Sequence, residues 1–188
     1  RRRMRRTLCH IGARLGIEIR LKSMQRKVLE QSIIPFYVSR NDMKKILFVG
    51  VDYYTNHYRK FFKDKEYWTI EPDPWKKYFG SKNHIIDKLE NLHLYFQHDY
   101  FDLIICNGVF GYGLNTKEQC EIAFRNCYDC LREAGEFILG WDDIPKYRPV
   151  SLEEIENLAR FRHQSLSPFS TWRYLVADSQ TRHIYDFY

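Results

Sequence analysis

The sequence predicts an α/β fold: a three-layer sandwich whose mostly parallel, seven-stranded sheet ends in a reversed strand within a C-terminal β-hairpin. Three observations predict it. From residue 46 onward, short apolar runs alternate with amphipathic segments, the pattern of parallel strands joined by covering helices. "FDLIICNGV" (101–109) is continuous in apolar residues, as a strand buried on both faces is. At the end, "WRYLVA" (172–177) and "RHIYDFY" (182–188) are separated by "DSQT" alone, too short for a crossover, so they run antiparallel.

The elements follow in order. Residues 1–45 read as a basic N-terminal helical arm, with one or two amphipathic helices over 7–30 weakened by Gly12 and Gly16, and residues 46–188 read as the main domain. "KILFVGV" (45–51) and "YWTI" (67–70) are the first two strands, and Tyr58, Phe61 and Phe62 share a helical face between them. Asp73 before Pro74 is a cap and first-turn pair, so "PWKKYFG" opens a short helix ending at Gly80. "HIID" (84–87) is a brief third strand, and "FDLIICNGV" is the fourth. "NTKE" (115–118) has the form of a capping box. Cys120, Ala123, Phe124, Cys127 and Leu131 then recur at helical spacing, so the helix turns its cysteines to the sheet. "EFILGW" (136–141) is the next strand, and "SLEE" (151–154) predicts a helix carrying Leu152, Ile155 and Leu158.

At 188 residues, 44% hydrophobic and 29% charged, the chain has the balance of one globular domain with a substantial core. Its net charge of +6 is unevenly spread: residues 1–45 carry +10 and residues 46–188 carry −4. The body is mildly acidic, which argues against a nucleic-acid-gripping face there, while Arg1, Arg2, Arg3, Arg5 and Arg6 leave phosphate or membrane contact open to the arm. There is no apolar run long enough to span a bilayer and no secretory signal pattern, so a reducing, cytoplasmic setting is expected. Five cysteines suit free thiols, and the Cys127/Cys130 pair lacks the further ligands zinc needs, so no metal is expected. The first residue is Arg1 in place of Met, which leaves open a trimmed or longer polypeptide.

The first loop, "VDYYTNHY" (51–58), lies where dinucleotide-binding folds place several glycines, and here only Gly50 precedes it. Asp52 would repel a phosphate, so the loop suits a cofactor without phosphoryl groups. "ILFVGVD", "YWTIEPDP", "FDLIICNGVFGYG" and "CLREAGEFILGW", in this order, resemble the class I S-adenosylmethionine-dependent methyltransferases over residues 45–188. The resemblance implies a Rossmann-like sheet with S-adenosylmethionine across the strand ends, and methyl transfer as the activity. It implies cofactor contacts from Gly50, Asp52 and Tyr53 in the first loop, and from Glu71, whose two oxygens match a ribose diol. It further implies Asp87 at the adenine amino group, and Asn107 with Gly108 beside the methionine portion.

A reversed last strand starts at the edge where the parallel strands end, which brings His183 to the cofactor side. The resemblance implies that this strand lies beside the one ending in "GWDD", so that His183 with Asp142 and Asp143 as neighbours forms a candidate general base, and His57 is the reserve. Phe110, Tyr112, Trp141 and Trp172 are candidate flat surfaces for an acceptor. After the fourth strand, "NGVFGYG" stands where the family's base-amino methyltransferases have an Asn-Pro-Pro-Tyr-like element, so the resemblance implies oxygen as the methylated atom and O-methylation of a sugar, a glycan or another small polar acceptor as the expected reaction. Two alternatives stay open: a degenerate fold acting as a binding or scaffold module, and a nucleic-acid methyltransferase using the arginine arm.

Overall fold

A computed structural model describes residues 17–188 together with Thr7, Ile11 and Gly12. Arg1, Arg2, Arg3, Arg5, Arg6 and Cys9 lie outside the described residues. Seven strands form one sheet: β1 (Lys45–Val49), β2 (Glu66–Ile70), β3 (Asn83–Ile85), β4 (Phe101–Asn107), β5 (Leu131–Asp142), β6 (Arg173–Leu175) and β7 (His183–Phe187). Their order is β3-β2-β1-β4-β5-β7-β6, with β7 antiparallel to both of its neighbours.

Alternation along the strands builds two cores. Leu47, Val49, Ile104, Cys106, Phe137 and Leu139 face one side, where helix α4 (Lys117–Cys130) lays down Cys120, Ala123, Phe124 and Cys127. Ile46, Phe48, Leu103, Ile105, Ile138 and Tyr185 face the other. That second side is covered by the chain ahead of residue 46, which forms α1 (Met24–Val28), a π-helical turn (Leu29–Ile33) and α2 (Ile34–Ser39), and by the single-turn helix α3 (Tyr58–Phe61). Leu29, Ile33 and Tyr37, four residues apart, are fully buried on the sheet. Pro35 has no N–H to return to residue 31, which accounts for the widened turn before it. The layer is stitched down by Tyr37 Oη to Glu136 Oε2 at 2.7 Å and Tyr185 Oη to the Gln25 carbonyl at 2.7 Å. No helix of the described residues is long and apolar enough to cross a membrane.

Two local expectations are corrected. The cap of α4 sits one residue later than read: Thr116 Oγ1 accepts from Gln119 N, and Gln119 Oε1 accepts from Asn115 N at 2.9 Å. The helix expected from "SLEE" is only two short 3-10 turns, Leu152–Glu154 and Leu158–Arg160. Ser151 hydrogen-bonds the Glu153 side chain rather than the backbone. Glu121, on α4, accepts from the amides of Glu156 and Asn157 at 2.8 and 2.9 Å, so a tertiary contact replaces the helical ladder.

Candidate functional site

The strand order reverses between β1 and β4, and their following loops diverge there, leaving a crevice beyond the carboxyl ends of the strands. A cavity of about 250 Å³ occupies it, lined by Gly50, Tyr54, Glu71, Asn107 and Gly108 among others. Gly50 (φ 78°) and Gly108 (φ 69°) end β1 and β4 in the left-handed region that disfavours side chains. Each stays tied to the next strand, Gly50 N to the Ile70 carbonyl and Gly108 N to the Gly140 carbonyl, both at 2.9 Å. The floor is therefore bare backbone, and a Cβ on Gly108 would project into open space.

The first loop closes as a 3-10 turn (Tyr53–Thr55) through a reciprocal cap. Asp52 Oδ1 accepts from Tyr53 N at 2.7 Å, and Thr55 Oγ1 accepts from Asp52 N at 3.0 Å. That arrangement uses side chains where a phosphate-binding loop would present free amides. Glu71 follows β2 and is 8% exposed; its Oε1 accepts from Asp73 N at 3.1 Å. Lys76, from the turn Pro74–Phe79, reaches back with Nζ 3.4 Å from Asp52 Oδ2 and 3.5 Å from Glu71 Oε2. Burial works against the Lys76 ammonium, but the two carboxylates more than offset it and hold its pKa above the usual lysine value. Asp73 caps this turn as read, accepting from Trp75 N at 3.0 Å.

The other sequence-derived residues fall in three groups. Asn107, His183 and Asp142 meet: His183 Nδ1 lies 2.7 Å from Asp142 Oδ1, and Nε2 lies 3.1 Å from Asn107 Oδ1. Asp142 also accepts from Thr181 Oγ1 at 2.6 Å and from the Tyr112 hydroxyl. Burial would raise its pKa, but hydrogen bonds from His183, Thr181 and Tyr112 overcome that and hold the carboxyl below the usual range. His183 is 3% exposed with both nitrogens engaged, and of this cluster Asn107 and Tyr112 line the cavity. Asp143 is turned elsewhere, into ion pairs with Arg148 at 2.8 Å and Arg182 at 3.4 Å.

Asp87 is on the cavity wall, yet both its oxygens are engaged: Oδ1 by Lys88 N and Asn91 Nδ2, Oδ2 by the Tyr95 hydroxyl. Tyr53, read as a cavity residue, packs against the second core, and Tyr54 takes the wall instead. His57 is buried beside Glu30, its Nε2 3.3 Å from Oε2, and is not among the residues lining the cavity. Of the four aromatic candidates, Phe110 and Trp141 are core residues and Trp172 lies against His163. Tyr112 is on the rim, 47% exposed and stacked on Tyr147 at 4.3 Å. Arg26 and Lys76 line the cavity and were not singled out from the sequence. Arg26 was hidden in a generally basic arm, whereas Lys76, five residues after Glu71, was open to discovery as a cation following a strand-end carboxylate.

No family model matches the sequence, and no curated protein matches it. Solved structures do match in fold. The N-methyltransferase NodS from Bradyrhizobium japonicum WM9 superposes with a TM-score of 0.65 at 14% identity, covering 87% of this chain and 94% of that one. Its complex with S-adenosyl-L-homocysteine matches equally, at 0.65, 13% identity, and 87% and 86% coverage. A TehB-like S-adenosylmethionine-dependent methyltransferase from Corynebacterium glutamicum gives 0.57 at 15% identity, covering 87% and 92%. Fibrillarin from Aeropyrum pernix, with natively bound S-adenosyl-L-methionine, gives 0.54 at 12% identity, covering 85% and 73%. The chain therefore has the Rossmann-like fold of the class I methyltransferases.

Proposed function

We propose that this chain binds S-adenosylmethionine in the cavity at the ends of β1, β2 and β4 and transfers its methyl group to a small polar acceptor. The observation that carries the reading is Glu71: a nearly buried carboxylate at the end of β2, facing a cavity floored by the bare backbone of Gly50 and Gly108. Two oxygens on one side chain match a vicinal diol, and the self-capped Asp52 loop offers no cradle for a phosphate. The cavity is close to the lower end of the roughly 300–1,000 Å³ typical of small-molecule sites. When bound, S-adenosylmethionine supplies a methyl group already activated by its sulfonium. The chain's own residues then have to orient donor and acceptor and keep water out. Glu71 would hold the ribose, the glycine floor would admit the sulfonium, and Asn107 and Tyr112 would border the side open to an acceptor.

The state of the His183 pair bears on which atom is methylated. Both imidazole nitrogens are occupied, so a base in direct contact with an acceptor hydroxyl would require Asn107 to leave Nε2. An amine with a free lone pair needs no such base in contact, and this favours nitrogen; NodS, among the structures of like fold, is an N-methyltransferase. The hydroxyl reading, on a sugar or glycan, is kept by the stacked Tyr112–Tyr147 rim, a flat surface suited to a sugar ring.

Calorimetric titration with S-adenosylhomocysteine tests the cofactor: binding weakened at least about tenfold by Glu71→Ala supports the reading. No binding at millimolar ligand would leave the scaffold alternative. Methyl transfer from labelled S-adenosylmethionine to an amino sugar, its N-acetylated form and the neutral sugar separates nitrogen from oxygen.

A further inference from the structure

Arg26, on α1, lines the same cavity as Gly50, Tyr54 and Asn107. Its Nη1 donates to the Tyr58 hydroxyl at 3.2 Å, and its guanidinium carbon lies 4.6 Å from the centre of the Tyr54 ring. Tyr58 passes the contact on, its hydroxyl donating to Glu30 Oε1 at 3.0 Å. Among the described residues, no carboxylate comes within 4.0 Å of the Arg26 guanidinium. Lys76, the neighbouring cation, is by contrast matched by both Asp52 and Glu71. Lys88 also borders the cavity but is exposed beside Asp87, where solvent weakens its pull on an anion.

A partly buried guanidinium held by two tyrosines and matched by no acid among the described residues is a preformed anion site. The planar fork of arginine suits a carboxylate through two parallel hydrogen bonds. The acidic residues of the rest of the wall, Glu71, Asp87 and Glu90, would repel such a group, so position within the cavity is decided by charge. We infer that Arg26 receives a carboxylate in this cavity, and that it is the α-carboxylate of the cofactor's amino acid tail. The second half rests on the methyl-donor reading above. It makes α1 part of the binding site as well as part of the layer covering the sheet.

Three ligands test it by calorimetry: S-adenosylhomocysteine, S-adenosyl-3-thiopropylamine, which keeps the amine and lacks the carboxylate, and 5′-methylthioadenosine, which lacks the tail. The wild-type protein is expected to prefer S-adenosylhomocysteine over the thiopropylamine by roughly 10- to 100-fold. Arg26→Gln is expected to abolish that preference while leaving 5′-methylthioadenosine affinity within about twofold, and Arg26→Lys is expected to fall between them. Equal wild-type affinity for the first two ligands overturns the inference without any variant. So does an undiminished preference in Arg26→Gln, the result expected were the carboxylate that Arg26 meets carried by the acceptor. If none of the three ligands binds the wild-type protein, the methyl-donor reading falls and takes the inference with it; if 5′-methylthioadenosine binds as well as S-adenosylhomocysteine, only the inference falls.

Discussion

The imidazole of His183 holds the side-chain amide of Asn107, Nε2 to Oδ1 at 3.1 Å, across 76 residues of sequence. Asn107 is followed by Gly108, so the antiparallel strand β7 secures the backbone that floors the cavity. The other imidazole nitrogen is fixed by Asp142, which sits opposite His183 in the β5–β7 register.

That chain of contacts predicts strong coupling. His183→Ala strands a buried carboxylate and a buried amide, and is expected to cost about 3 kcal/mol in urea denaturation. Asp142→Asn is expected to cost about 2 kcal/mol by leaving the imidazole and the Thr181 hydroxyl poorly matched. The double variant should lose at least about 1 kcal/mol less than the sum, because each single change already breaks the shared bond. Additive losses would mean the two residues act independently.

Lys76 predicts an effect on ligand affinity rather than on folding. Its ammonium lies 3.4–3.5 Å from the Asp52 and Glu71 carboxylates, so a ribose engaging Glu71 competes with it. The pair is partly exposed, which limits the ion-pair energy to about 1 kcal/mol or less. Lys76→Met is therefore expected to tighten 5′-methylthioadenosine two- to fivefold by calorimetry, within the roughly 1 kcal/mol that such a pair supplies. Weaker binding would show that Lys76 helps the ligand directly.

The legible parts of the sequence were those whose burial leaves a periodic trace. β4 is buried at all seven positions and reads from the apolar run Leu103 to Cys106 at its centre. α4 reads from cysteines and aromatics at helical spacing, and the final hairpin reads from a connection too short to cross the sheet. Glu71 was singled out through the resemblance, which implies a carboxylate at the end of the second strand. Contacts that close over distance were not legible. Glu121 overrides the "SLEE" signal from 35 residues away, and Arg26 becomes a cavity residue only through Tyr54 and Tyr58. Tyr53 and Tyr54 are adjacent in a tight turn, and no pattern in the sequence decides which of them faces the cavity.

The thiols packed between β4 and α4 are predicted to be inert. Cys106, Cys120, Cys127 and Cys130 are buried without disulfides. Burial pushes the Cys120 thiol up to about 12 and the Cys130 thiol to about 11, and raises Cys106 and Cys127 further. Because the thiolate is the reacting species, these side chains serve as small core hydrophobes. In a Cys9→Ser background, Ellman's reagent should find fewer than one reactive thiol in the native protein, on the order of the thiolate fraction, and four after denaturation. Rapid native labelling would place one of them at a reactive surface.

Acid sensitivity should begin near neutrality, and the sign follows from three histidines. Burial lowers the pKa of His57, of His84 and of His163, in each case by disfavouring the charged ring. For His57, Glu30 opposes the shift without reversing it. As pH falls below the unfolded value of about 6.5, the unfolded chain takes up protons that the folded chain refuses, so the unfolded state binds more protons and stability declines. Above that value all three are neutral in both states and the contribution is fully present. Tm should therefore drop between pH 7 and pH 5.5, and His57→Gln should flatten the slope by removing one of the refused protons. A Tm that holds or rises over that interval would mean the folded rings accept the charge, with Glu30 outweighing burial at His57.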